Sequence, residues 1–247
     1  MNHIGNYLAR TRFASLCPRA VLFDMDGVCY DSMPYHAVAW QQSMAHYGLT
    51  MTADDAYATE GARGMDTVRN LVKSQRGEDI TPDVAQEMYG LKSRIFHAMR
   101  PLPPIMPGVL ELMAQIHDSG LSIGIVTGSG QRPLLDRLMN DFGEYIREKH
   151  VVTAYDVEHG KPAPDPYLLG LTVMGGLQPW EAIVVENAPL GVTAAVAARC
   201  FTIAVNTGPL PDEALTGQGA DMLFPTMTDL SKSWKELYSS MKFKIED

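Results

Sequence analysis

The chain has 247 residues, 46% hydrophobic and 20% charged, a composition that suits one large globular core or one core with a smaller module. Its net charge of -9 argues against nucleic-acid or anionic-membrane partners, which reward basic surfaces, but leaves room for a small phosphorylated ligand at a locally positive site. Cys17, Cys29 and Cys200, odd in number and without metal-ligand spacing, point to reduced thiols in a cytoplasmic protein, and no apolar run is long enough to span a membrane.

Residues 1–18 carry Arg10 and Arg12 and no long apolar stretch, so they are expected as a short outer helix or an unstructured arm rather than a leader. Ala20–Phe23 reads as a buried strand that runs straight into "DMDG". From Asp31 to Pro107 no strand pattern occurs and the apolar residues follow a helical period. Val84, Met88, Leu91 and Ile95 form one predicted stripe, and Ser32 with Pro34 and Thr81 with Pro82 mark helix starts. The proline-rich "RPLPPIMPG" reads as a hinge leading out of this helical stretch.

Beyond it, apolar runs at Ser122–Val126, Val151–Thr153, Ala182–Val185 and Phe201–Val205 alternate with helical patterns. Gly120 and Gly143 stand where two of those helices should stop. The C-terminal "TDLSKSWKELYSSMKF" predicts an amphipathic helix with Leu230, Trp234 and Leu237 on its buried side. The fold class expected is α/β, a Rossmann-like parallel sheet with helices on both faces and an inserted all-helical domain. Residues 1–30 and 107–247 would form the core, and 31–106 the insert. Nothing in the sequence specifies an oligomeric state.

In such a sheet, ligands bind beyond the carboxyl ends of the strands. The residues following the predicted strands are Asp24 and Asp26, then Thr127, Gly128 and Ser129, then a loop with Lys161, then Glu186 and Asn187. Any one of these has an ordinary explanation: an acid at a strand end caps a turn, Ser129 caps the helix of Leu134 and Leu135, a loop lysine is solvated. Two carboxylates one residue apart are different, because close carboxylates need a cation or a shared proton. Together the groups make a phosphoryl-transfer site. One carboxylate attacks phosphorus, the second moves protons, a divalent cation such as Mg²⁺ offsets charge, and a lysine with hydroxyl and backbone donors holds the phosphoryl oxygens.

"DMDGV", Thr127 at the end of "IGIVT", Lys161 in "GKPAPDP" and "VVENAPLG" together resemble, in order, the four motifs of haloacid dehalogenase superfamily phosphotransferases, specifically the β-phosphoglucomutase-like branch. The resemblance implies Asp24 as nucleophile, Asp26 as general acid/base, Thr127 and Lys161 as catalytic phosphate-binding groups, and Mg²⁺ held by Asp24, Asp26, Glu186 and Asn187. It also implies that the helical insert is a mobile cap, with His36, four residues before Trp40 on one helix face, near the hinge.

Two departures bear on the reaction. The fourth motif has Glu186-Asn187 where the branch usually has Glu-Asp, so one metal ligand would be a neutral carbonyl. In the cap loop "TEGARGMDTV", Glu60 and Gly64 stand where the mutases carry a lysine and an arginine, with Arg63 as a neighbouring substitute. The cap-loop departure favours hydrolysis of a small phosphorylated metabolite or pyrophosphate, with His36, Glu60, Arg63, Gly128 and Ser129 touching substrate. The alternative is a β-phosphoglucomutase acting between β-glucose 1-phosphate and glucose 6-phosphate.

Overall fold

Ala20–Phe23 forms β1, the centre of a parallel sheet in the computed structural model, which describes residues 3–129 and 132–241. The other strands are β2 (Ser122–Val126), β3 (Ile146–Val152), β4 (Ala182–Glu186), β5 (Phe201–Val205) and β6 (Met222–Phe224), in the order β3-β2-β1-β4-β5-β6. The helices are α1 (His3–Thr11), α2 (Met33–His46), α3 (Ala53–Ala58), α4 (Gly64–Arg76), α5 (Pro82–Ala98), α6 (Val109–Asp118), α7 (Arg132–Phe142), α8 (Asp165–Val173), α9 (Pro189–Ala197), α10 (Glu213–Thr216) and α11 (Met227–Met241).

Side chains alternate across a strand, so both faces of β1 are apolar and both are covered. Val21 and Phe23 face a cluster with Leu112 and Met113 of α6, Trp234 of α11 and Tyr7 of α1. Ala20 and Leu22 face Tyr167 and Leu171 of α8 and Ala194 and Ala195 of α9. The chain crosses from β1 to β2 on one side and returns to β4 on the other. The end of β1 is therefore the point where strand order reverses, and a crevice opens there.

Helices α2 to α5 lie between β1 and β2 and share their own apolar cluster, with Trp40, Met44, Val68, Val72 and Met88 in it. The two connecting segments run side by side: Asp31 N–H donates to Pro104 O at 2.9 Å, and Met106 N–H to Cys29 O at 2.9 Å. Thr81 caps α5 by accepting from Val84 N–H, as expected, but the Ser32 side chain makes no cap bond.

Two expectations need correction. The buried stripe of α5 is Ala85, Met88, Lys92 and Phe96, not the one through Val84, which is 42% exposed. The apolar pattern misleads there because the stripe contains a buried lysine. Strand β3 begins five residues before Val151, at Ile146, and includes charged residues that an edge strand tolerates on its open side. The three-residue β6 carries too short a pattern to be read from sequence.

The cysteines are unpaired, with Cys29 and Cys200 buried and Cys17 exposed. Among the described residues no helix is long and apolar enough to cross a membrane. The N-terminal segment is a packed helix: Tyr7 is fully buried and its hydroxyl donates to Arg199 O at 3.0 Å. Tyr7→Ala is expected to destabilise the protein by about 3–5 kcal/mol, the range for truncating a buried aromatic. Urea unfolding measures it, and an unchanged midpoint would mean that α1 contributes nothing to the core.

Candidate active site

Parallel pairing of β1 with both β2 and β4 puts three strand ends side by side, and their next residues meet. Lys161, from the loop after β3, reaches into this junction. Its Nζ donates to Asp24 Oδ1 at 2.5 Å, to Glu186 Oε1 at 2.6 Å and to Val126 O at 3.0 Å. All three side chains are buried, so the ion pairs are desolvated. Burial disfavours the Lys161 charge, but Asp24 and Glu186 outweigh it and hold its pKa above the ordinary lysine value. Burial pushes the Asp24 carboxyl up; Lys161 pulls against this, and the charges of Glu186 and Asp26 add to it.

Glu186 is saturated by protein donors. Besides Lys161, Oε1 accepts from Tyr167 Oη at 2.7 Å, while Oε2 accepts from Asn187 N–H at 2.9 Å and Ala188 N–H at 3.1 Å. Each carboxylate oxygen has about two acceptor sites, so none remains. Gly191 in the same motif is needed for this arrangement, since a Cβ there would lie 1.7 Å from Glu186 Oε1. In this arrangement the Glu186 carboxylate orients Lys161. Gly27 of "DMDG" has φ +79°, and a Cβ would lie 2.1 Å from Asn187 Nδ2.

Asp26 has a different setting. Ser32 Oγ donates to its Oδ1 at 2.6 Å, and His36 Nε2 lies 3.0 Å from the same atom. On the other side of the ring, Lys92 Nζ is 2.5 Å from Nδ1. An ammonium can only donate, so Nδ1 accepts and the proton sits on Nε2, pointing at Asp26. Burial and the Lys92 charge both lower the His36 pKa, in keeping with a neutral ring. Burial would raise Asp26, but His36, its hydrogen bond, Ser32 and Lys92 outweigh it and hold the carboxyl below its ordinary value.

Lys92 is boxed by aromatic rings, with Nζ 5.1 Å from the Trp40 centroid and 5.3 Å from that of Phe96. Burial brings its pKa down to about 8 against the pull of Asp26. Sequence reading missed this residue. The signal available was a lysine four residues after Met88 and four before Phe96, on one helix face. It also missed Tyr167, six residues beyond Lys161 in the following helix.

Thr127 Oγ1 accepts from Ser129 N–H at 2.9 Å, while Ser129 Oγ is buried with no partner. The helical insert closes over these groups. Glu60 is buried, with Oε1 and Oε2 accepting from Asn187 Nδ2 at 3.2 and 3.1 Å. Burial and the charges of Asp24 and Asp26 raise the Glu60 pKa well above its ordinary value, more than the Asn187 hydrogen bond lowers it. Gly61 O would be 2.3 Å from a Cβ on Gly128, so insert and core meet backbone to backbone. The remaining cavity is about 50 Å³ and is lined by Asp24, Asp26, His36, Glu60, Lys92 and Thr127, among others. Arg63, expected at the substrate, does not line it; its guanidinium turns to Asp66 and to Glu158 O. Gly64 is covered by Tyr89, whose ring would lie 2.0 Å from a Cβ there.

Among the described residues no three His, Cys, Asp or Glu side chains are grouped to hold a metal. The donor chemistry nevertheless suits a hard cation. Asp24 and Glu186 share one fully paired ammonium, Asp26 and Glu60 line the same pocket as Asp24, and Asn187 Oδ1 is buried without a partner.

A buried lysine with a lowered pKa costs stability while it is charged in the native state. The full cost applies below about pH 8 and disappears as the pH rises from there towards the ordinary lysine value. Lys92→Met is therefore expected to raise stability at pH 7 by on the order of 3 kcal/mol, with the gain shrinking above pH 8. Urea unfolding at pH 7, 8 and 9 tests this, and a less stable variant at pH 7 would show that the aromatic box fully compensates the burial.

The model of the haloacid dehalogenase-like hydrolase family matches residues 21–205. Hexitol phosphatase A of Escherichia coli is 32% identical over 195 residues, covering 76% of this chain and 83% of that protein. The β-phosphoglucomutase of Bacillus subtilis is 24% identical over 224 residues, covering 88% and 96%. A solved structure from Bacteroides vulgatus, described as a "putative beta-phosphoglucomutase", is 45% identical with a TM-score of 0.93, covering 98% of this chain and 97% of that one. The match of the family model over most of its length shows that the chain belongs to the haloacid dehalogenase-like hydrolase family.

Proposed function

We propose that the protein hydrolyses a small phosphorylated metabolite or pyrophosphate through a phosphorylated Asp24. The observation that carries this reading is the different environment of the two acids. Asp24 meets a buried lysine that can hold a phosphoryl oxygen, whereas Asp26 meets a neutral histidine and a serine that govern its proton. In the first step an Asp24 oxygen attacks phosphorus and the bond to the leaving oxygen breaks. Asp26 gives that oxygen a proton. In the second step Asp26 takes a proton from water as the water attacks phosphorus, releasing phosphate and regenerating the Asp24 carboxylate. A substrate dianion beside Asp26 raises its pKa, which loads it with the proton the first step needs.

Lys161, the Thr127 hydroxyl, and Gly128 and Ser129 at the end of β2 would hold the transferring group, with the unpartnered Ser129 Oγ as a ready donor. Mg²⁺, held by Asp24, Asp26 and Asn187 with Glu186 behind them, would offset the repulsion between carboxylate and phosphate. Residues 31–106 would act as a cap over a core made of 1–30 and 107–247, with His36 and Glu60 closing on the substrate. The unpaired cysteines agree with action in the cytoplasm.

Glu60 supplies an acid where a second phosphate would need a cation, and Tyr89 fills the space over Gly64 where an arginine would stand. The 45% identity to the Bacteroides vulgatus protein keeps β-phosphoglucomutase as the second reading. Phosphate release with Mg²⁺ from pyrophosphate and a panel of sugar phosphates, alongside a glucose 6-phosphate assay from β-glucose 1-phosphate, separates the two. Hydrolysis lost in Asp24→Asn is expected; glucose 6-phosphate formed without net phosphate release would establish the mutase. Asn187→Asp is expected to tighten Mg²⁺ binding about tenfold, as one more charge contacts the ion. Calorimetric titration with Mg²⁺ measures this, and unchanged affinity would remove Asn187 from the ligand set.

A further inference from the structure

Arg63 precedes α4 in the insert and faces the core. Its Nε donates to Asp66 Oδ2 at 2.7 Å, which holds the plane of the guanidinium. Nη1 then reaches across to the backbone carbonyl of Glu158 at 2.5 Å. The aliphatic stem lies on Gly160, where a Cβ would come within 2.6 Å of Arg63 Cγ and 3.1 Å of Cδ. The backbone of Gly160 is outside the left-handed region, so the arginine stem, not a strained turn, accounts for the glycine. Two residues before Arg63, a Cβ on Gly61 would lie 3.2 Å from Lys161 Cδ. Residues 61–63 of the insert thus grip the core loop 158–161, whose last residue carries the ammonium between Asp24 and Glu186.

We propose that Arg63 is a positioning residue. Its docking on Glu158 and Gly160 sets the loop so that Lys161 is locked in place only when the insert is closed on the core. Arginine suits this role because its planar fork serves two acceptors in fixed directions while its stem packs on the glycine. A lysine has a single donor nitrogen and lacks the fork that spans both acceptors in those directions. The consequence for turnover rests on the phosphoryl-transfer reading above; the docking itself does not.

The test combines a distance with kinetics. Spin labels at Val84→Cys in the insert and Leu168→Cys in the core report closure by pulsed electron paramagnetic resonance, in a Cys17→Ser background because Cys29 and Cys200 are buried. Arg63→Ala and Gly160→Ala are each expected to shift the distance population towards longer values. Each should lower kcat roughly tenfold with little change in KM or melting temperature, as misplacement of one catalytic group does. Arg63→Lys should recover part of the loss. Gly160→Ala acts through the arginine stem, so it should cost nothing further in the Arg63→Ala background. Unchanged distances in Arg63→Ala, or a Gly160→Ala effect of equal size in both backgrounds, would overturn the proposal. A wild-type protein inactive on every phosphorylated compound would instead count against the functional reading, and the distances would still decide the docking.

Discussion

The buried ammonium of Lys161, shared between Asp24 and Glu186, is the interaction on which the site depends. Two buried carboxylates at adjacent strand ends repel in a low-dielectric environment. One lysine from a third element resolves that conflict, and Tyr167 with two backbone N–H groups completes the Glu186 shell. The parallel sheet supplies the geometry, because pairing β1 with both β2 and β4 in register brings these ends to one level.

The second acid is insulated from the first by its own chain of partners. Ser32 and His36 hold Asp26, Lys92 holds His36, and the aromatic rings of α2 and α5 hold Lys92. Every member of that chain beyond Asp26 belongs to the segment between β1 and β2. The proton affinity of Asp26 is therefore set by the helical insert, and that of Asp24 mainly by the core. This separates two chemically identical side chains one residue apart.

The contact between insert and core is made largely at small residues. Gly61 and Gly128 let two backbones meet, Gly160 accepts the Arg63 stem, and Gly27 makes room for the Asn187 amide. A side chain at Gly128 or Gly160 would run into Gly61 or Arg63 of the insert, and one at Gly27 into Asn187. The same closeness leaves a small cavity and buries Glu60 beside three other carboxyl groups, where its charge is suppressed.

Much of the core was legible in the residues themselves. Short β-branched runs alternating with helical periods define an α/β sheet, and the polar residues after those runs are the ones that meet. Their types and order are local properties. What lies at a distance in sequence was not legible. The stripe through Val84 was off by one position because Lys92 is buried, and only the aromatic box and His36 make that burial tolerable. Arg63 sits in the loop where a substrate-binding residue belongs, yet a glycine almost a hundred residues away takes its stem. That Tyr167 and Lys161 donate to the oxygens of Glu186 is visible only in the structure. Residue type and periodicity determined the fold and the chemical inventory of this protein. The partner of each buried polar group was decided by tertiary structure, since desolvation makes each such group bind whatever donor or acceptor the packing brings within reach.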